Sequence, residues 1–136
     1  FNTIDYITIA SEGNSTDFGD LTTVAHETTA SSSSTRAVRF GARREPAGDT
    51  SDIIDYITIA STGDASDFGD MLAATKGAAS STNSTRAVAI AGNTGSDINV
   101  MQYVTISSTG DTADFGDLTS ATLAGSAGSN GHGGLS

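Results

Sequence analysis

The sequence predicts an all-β protein of β-propeller-like blades, each of about four antiparallel strands, with a period of 47–50 residues and incomplete as a single chain. Three observations predict it. The first is a repeat. Asp5-Tyr6-Ile7-Thr8-Ile9-Ala10-Ser11 returns unchanged as Asp55-Tyr56-Ile57-Thr58-Ile59-Ala60-Ser61, and a looser copy reads Gln102-Tyr103-Val104-Thr105-Ile106-Ser107-Ser108. Each copy runs on to Asp17-Phe18-Gly19-Asp20, Asp67-Phe68-Gly69-Asp70 or Asp114-Phe115-Gly116-Asp117, with a Tyr-to-Phe spacing of 12 in all three. The second is that β-branched and aromatic residues alternate with small polar ones, as a pleated surface favours. The third is that no stretch of useful length has helical periodicity. Four short strands in ~40–50 residues fit a propeller blade. A parallel β-helix needs a shorter coil, and a leucine-rich repeat needs a Leu ladder.

Taken in order, the second copy starts with a strand. Tyr56, Thr58 and Ala60 fall on one of its faces, and Ile57 and Ile59 on the other. Ser61-Thr62-Gly63-Asp64 is turn chemistry, since Gly tolerates positive φ and Asp bonds its own backbone. A short strand follows around Phe68. After Gly69-Asp70 comes an Ala/Thr/Ser segment with weak alternation; Leu72 to Ala79 is the only stretch of helix-forming residues. Arg86-Ala87-Val88-Ala89-Ile90-Ala91 reads as a fourth strand ended by Gly92-Asn93. Its block Ser84-Thr85-Arg86-Ala87-Val88 repeats Ser34-Thr35-Arg36-Ala37-Val38 at a distance of 50. Length changes fall only between Val88 and Met101, which predicts a surface loop there.

The units are therefore 1–41, a first, partial blade; 42–92, a second blade; and 93–136, a third blade with a Gly-rich tail, together one repeat domain. A closed propeller uses four or more blades. Either several copies close a ring together or the chain is the C-terminal piece of a longer protein; an open array would expose strand edges.

Composition narrows the function. Sixteen acidic against 6 basic side chains give a formal charge of −10, which argues against nucleic-acid binding by phosphate attraction. No apolar run approaches the ~20 residues of a membrane helix. Without Cys there is no disulfide framework and no thiolate zinc site.

The repeated aromatics Tyr6, Phe18, Tyr56, Phe68, Tyr103 and Phe115 are expected as equivalent core residues, each able to bury ~150–250 Å². Asp64, Asp67 and Asp70 stand three apart, as do Asp111, Asp114 and Asp117; the first copy has Asn14, Asp17 and Asp20. Oxygen-rich loops can hold Ca²⁺, which takes 6–8 oxygen ligands. The spacing is not that of a calcium-binding helix–loop–helix, and a strand turns residues three apart to opposite faces. The expectation is no metal: the first Asp shapes a turn, the second pairs with Arg36 or Arg86, and the third caps a turn. Arg36 and Arg86 are expected between blades, in forked pairs with Asp20 and Asp70 or on a carbonyl. Arg39, Arg43 and Arg44, beside Glu45-Pro46, form a basic cluster expected as solvated loop charge that can meet an acidic partner.

Nothing points to catalysis or to a cofactor. Asp-Phe-Gly lacks the Gly-rich loop, strand Lys and His-Arg-Asp of a kinase, and there is no G-x-S-x-G elbow or Ser/His/Asp grouping. His26 and His132 share no metal-ligand spacing and read as polar loop residues. Asn14-Ser15-Thr16 and Asn83-Ser84-Thr85 match the glycosylation pattern.

The run Ile54 to Asp64, then Asp67-Phe68-Gly69-Asp70-Met71 and a Ser/Thr-Arg block, resembles a repeat of virion structural and tail-fibre proteins of marine bacteriophages. Ser129-Asn130-Gly131-His132-Gly133-Gly134-Leu135 is similar to a terminus of such chains. Those repeats are likened to kelch repeats, whose Gly-Gly pair and Trp would match Gly41-Ala42 or Ala91-Gly92 and the three Phe residues. The resemblance implies a non-enzymatic virion module, in an extracellular particle, used in assembly and/or host-surface binding. Its implied partners are further copies of itself or other virion proteins, and a host-surface glycan, with no nucleic acid and no membrane. One alternative is a propeller-type glycan-degrading enzyme, which needs two carboxylates ~5–9.5 Å apart across a cleft. Another is a purely structural oligomer closed by strand exchange, in which an unpaired first strand at Phe1–Ser11 and a missing last strand after Leu123 complete a blade between chains.

Overall fold

The computed structural model describes residues 1–123 and 125–129; His132 and the rest of the tail beyond Ser129 lie outside them. The described chain is all-β and contains no helix. Its strands are β1 (Thr3–Tyr6), β2 (Thr16–Asp20), β3 (Ala25–His26), β4 (Thr29–Ser32), β5 (Arg36–Arg44), β6 (Thr50–Thr58), β7 (Ser66–Asp70), β8 (Ala79–Thr82), β9 (Arg86–Asn93), β10 (Asp97–Thr105) and β11 (Ala113–Thr122). They form three antiparallel sheets. The first is β1-β2. The second runs β5-β6-β7, with β3 and β4 both lying along β5. The third runs β8-β9-β10-β11.

The Tyr strand is central in the second and third sheets. In the second, β6 pairs with β7 on one side (Ile54 opposite Gly69) and with β5 on the other (Val38 opposite Tyr56). In the third, β10 does the same with β11 and β9, placing Met101 opposite Gly116 and Tyr103 opposite Val88. The edges drawn at 41/42 and 92/93 therefore fall inside β5 and β9. A tandem repeat has no phase of its own, so spacing alone leaves the cut point free; hydrogen bonding puts it between the Phe strand and the next Ala/Ser strand.

Three local expectations are corrected. The segment from Val88 to Met101 is mostly paired strand, and the shortening is taken up at the turn between β9 and β10. β1 is not unpaired, because it bonds β2 from Thr3 to Tyr6. Arg39 is not solvated loop charge: it lies within β5 and is buried. Arg44 is at the surface and closes the β5–β6 turn on Asp49, with Nη2 to Oδ2 at 2.6 Å.

The core lies between the second and third sheets. Val38, Phe40, Ile54, Phe68 and Met71 come from one side, and Ala87, Ala89, Val104 and Ile106 from the other. Small residues on the third sheet let the large ones of the second approach closely. The strands at the other border, β4 and β8, are polar and meet through hydroxyls: Ser80 Oγ donates to the Ala30 carbonyl at 2.9 Å and accepts from Ser31 Oγ at 2.8 Å.

Candidate functional site

The most repeated chemistry in the chain is a joint between consecutive sheets. The Ser-Thr-Gly-Asp loop between β6 and β7 lies along the free edge of β2. Gly63 N donates to the Phe18 carbonyl and Ala65 N to the Asp20 carbonyl, both at 2.8 Å. Asp64 Oδ1 accepts from Asp20 N at 3.0 Å. The next loop repeats this on β7: Gly110 N to Phe68 O at 2.7 Å, Thr112 N to Asp70 O at 2.9 Å, and Asp70 N to Asp111 Oδ1 at 3.0 Å. Strand edges that would otherwise be open are thereby covered.

The joint explains the glycine of Asp-Phe-Gly-Asp. Gly19 and Gly69 have φ of +151° and +147°. A Cβ on them would stand 2.4 Å from Gly63 O and 2.5 Å from Gly110 O. Backbone conformation and close approach both demand the missing side chain.

A second joint sits beside the first. Asp55 and Gln102 hold equivalent positions on β6 and β10, and both are buried. Asp55 Oδ2 accepts from Thr22 Oγ1 at 2.7 Å and Thr22 N at 3.3 Å. Gln102 Oε1 accepts from Leu72 N at 2.8 Å and from Thr112 Oγ1 at 2.6 Å. Thr22 and Leu72 are themselves equivalent, so the same link backbone is read by an acid in one case and an amide in the other. The acid brings a cation: Arg39 Nε and Nη2 grip Asp55 at 2.6 and 2.7 Å, and Nη1 donates to the Gly41 carbonyl at 3.2 Å. At the Arg39 position the third sheet has Ala89. The sequence signal for this site is that paired exchange, Arg39 with Asp55 against Ala89 with Gln102.

The repeated aromatics lie on equivalent strands and form the same edge-to-face pairs: Tyr6–Phe18 at 6.0 Å, Tyr56–Phe68 at 5.7 Å and Tyr103–Phe115 at 5.9 Å. Their burial differs. Phe68 is 2% exposed and Phe18 9%, but Phe115 is 51% exposed, because among the described residues no further sheet lies on β11. The expectation of three equivalent core residues is thus corrected for Phe115, as it is for Tyr6, which is 44% exposed.

Arg36 and Arg86 do not pair with Asp20 or Asp70. Each guanidinium lies over the Tyr of its own sheet, 4.5 Å from the ring centroids of Tyr56 and Tyr103. A flat cation on a ring face is attracted by the ring quadrupole. Arg36 also reaches the third sheet, donating from Nη1 to the Ile106 carbonyl at 3.1 Å.

The Asp series do not converge. Asp64 and Asp111 cap the neighbouring strand, while Asp67 and Asp114 are exposed; among the described residues no three His, Cys, Asp or Glu side chains are grouped as a metal ion needs. Asp70 is held above the usual carboxylate range, first by desolvation and then by the charges of Asp52, Asp111 and Asp67. A carboxyl raised in the fold favours folding once protonated, so its penalty is present near neutral pH and relieved as pH falls through the raised value. Asp70→Asn is therefore expected to melt higher than the parent at neutral pH. That advantage should fade as acid protonates Asp70 in the parent, and thermal melts across pH read this out; a lower melting temperature at neutral pH would contradict it.

His26, Glu27, Arg43, Glu45 and Lys76 gather where the repeat is least regular. Glu27 sits 3.6 Å from Arg43 and 3.4 Å from Lys76, and His26 lies 3.6 Å from Glu45. A mainly apolar cleft of about 300 Å³ lies between the first and second sheets, with Ile4, Leu21, Val38, Tyr56 and Ile57 on its walls and the Arg39–Asp55 pair among its lining residues.

The fold thus defines an all-β protein of consecutive antiparallel sheets joined edge to loop. It is similar to a solved structure titled "Structure of YjhT", with a TM-score of 0.68 and 11% identity. The match covers 87% of this chain and 45% of that one, so the chain spans less than half of that protein. At this identity the likeness is one of fold alone. No protein-family model matches the chain, and no curated protein matches it.

Proposed function

We propose that each antiparallel sheet is a propeller-like blade, and that the chain is a non-enzymatic structural module of a bacteriophage virion, in a fibre or appendage. It serves assembly, host-surface binding, or both. The observation that carries the reading is the repeated joint: the buried Asp55 and Gln102, the positive-φ glycines Gly19 and Gly69 and the Asp64 and Asp111 carboxylates are all engaged in fixing one sheet to the next. A scaffold needs that use of polar groups. Its loops would then be free to recognise a glycan or a protein, with many weak sites adding up through avidity.

The kelch-like, marine-phage character of the repeat rests on the sequence resemblance. The glycan-degrading alternative needs two carboxylates across a cleft. Among the described residues, Glu27 and Glu45 stand where the repeat is broken, but beside Arg43, Lys76 and His26. Mass spectrometry of purified virions tests the proposal. Peptides such as those around Ile54–Asp70 are expected among the particle proteins; their absence from intact particles of a phage that encodes the chain would refute it.

A further inference from the structure

We propose that the third sheet carries a docking surface for the first sheet of a second copy of this chain. Three observations on that sheet agree. First, the edge formed by Phe115, Gly116 and Asp117 is the counterpart of Phe18–Asp20 and Phe68–Asp70, both of which hold a Gly-Asp loop. Among the described residues no loop occupies it, and a Cβ on Gly116 would meet only Met101 Cε, at 3.9 Å. Second, Gly116 keeps the positive φ (+133°) of its two counterparts, so the edge is already shaped to receive a loop. Third, Met101 is half-buried and Phe115 is exposed, although their counterparts Ile54 and Phe68 are core.

The other half of the joint is at the opposite end. Ser11-Glu12-Gly13-Asn14 is the first copy of the loop whose later copies dock. Among the described residues Gly13 N makes no backbone hydrogen bond, whereas Gly63 N and Gly110 N each donate to the neighbouring strand. Asn14 keeps the side-chain oxygen that Asp64 and Asp111 use. Ile7 is 62% exposed and Ile9 94%, beside this loop. The occupant is therefore a second copy, offering Gly13 N to the Phe115 carbonyl and Asn14 Oδ1 to Asp117 N. This is pairing along a sheet edge, with main-chain hydrogen bonds supplying affinity. A head-to-tail contact of this kind is heterologous, so it gives rings if the rotation closes and filaments if it does not. The proposal rests on the stacked-blade part of the reading above and not on the virion role.

Sedimentation of the purified chain at physiological salt tests it. The parent is expected to associate with rising concentration beyond its 13.6 kDa monomer. Gly13→Pro removes the loop's donor, and Phe115→Lys places a charge in the docking face. Each alone should weaken association by about tenfold or more. Mixed together they should form pairs but nothing longer, because one retains the loop and the other the edge. Circular dichroism checks that both fold, with Asn14→Ala and Phe115→Ala as substitutes. The proposal is overturned if the parent stays monomeric at every concentration, as it would if its own tail covered β11. It also fails if Phe115→Lys blocks association while Gly13→Pro does not, which is the mark of a symmetric contact, or if the mixture forms no pairs.

Discussion

Asp55→Ala is expected to cost about 3–5 kcal/mol of folding stability, the range for removing one member of a buried ion pair. Arg39 would remain 6% exposed with its carboxylate gone, and Thr22 N and Oγ1 would lose their acceptor. The loss would be read in urea unfolding at neutral pH. The third sheet supplies the control. Since Ala89 and Gln102 occupy the same two places there, the double change Arg39→Ala with Asp55→Gln should recover most of the loss. Gln102 shows that an amide oxygen can accept from the link backbone without a cation beside it. A double variant as unstable as Asp55→Ala would mean that the paired exchange is not what relates the two sheets.

Phe68→Ala is expected to cost about 3–5 kcal/mol, as for a core Phe, whereas Phe115→Ala should cost only about 1 kcal/mol. The two residues share a sequence motif and a ring partner, but not a burial. Phe68 loses its packing between two sheets, while Phe115 loses chiefly its edge-to-face contact with Tyr103, worth roughly 0.5–1.5 kcal/mol. Denaturant midpoints under dilute, monomeric conditions separate the two. Equal losses would mean that the rings act through their Tyr partners alone.

Much of the fold was legible because it is written three times. The constant Tyr-to-Phe spacing of 12 marks a fixed loop between two paired strands, and a slip of one residue would reverse every side chain. That loop does span β6 to β7 and β10 to β11. The phase of the repeat was not legible, because any cut through a tandem array repeats equally well. Nor was the environment of Arg39: it stands close to Arg43 and Arg44 in sequence, but β5 is buried on both faces from Val38 to Ala42, which holds Arg39 inside against Asp55 while Arg44 stays at the surface where the strand ends. The partner of Arg36 was missed for a related reason. Charge arithmetic favours a carboxylate, but Val38 opposite Tyr56 brings the start of β5 alongside the ring, and the guanidinium settles there. Burial differences among the three Phe residues were beyond reach of the repeat itself, since identical motifs say nothing of what stands next to each.

The joint has a consequence for how such a chain grows. Each copy holds both a Gly-Asp or Gly-Asn loop and, a few residues later, the Phe-Gly-Asp edge that a successor's loop grips. A gene segment that duplicates in tandem therefore delivers matching halves with no new contact to be invented. Drift is then constrained at the seam and relaxed elsewhere: Gly69 cannot accept a side chain while Gly110 O stands 2.5 Å from its Cβ position, yet Asp55 can become Gln102 once Arg39 has become Ala89. Stability in such an array is a sum over units and their neighbour interfaces, so a lost seam would uncouple two units and expose the core that they share.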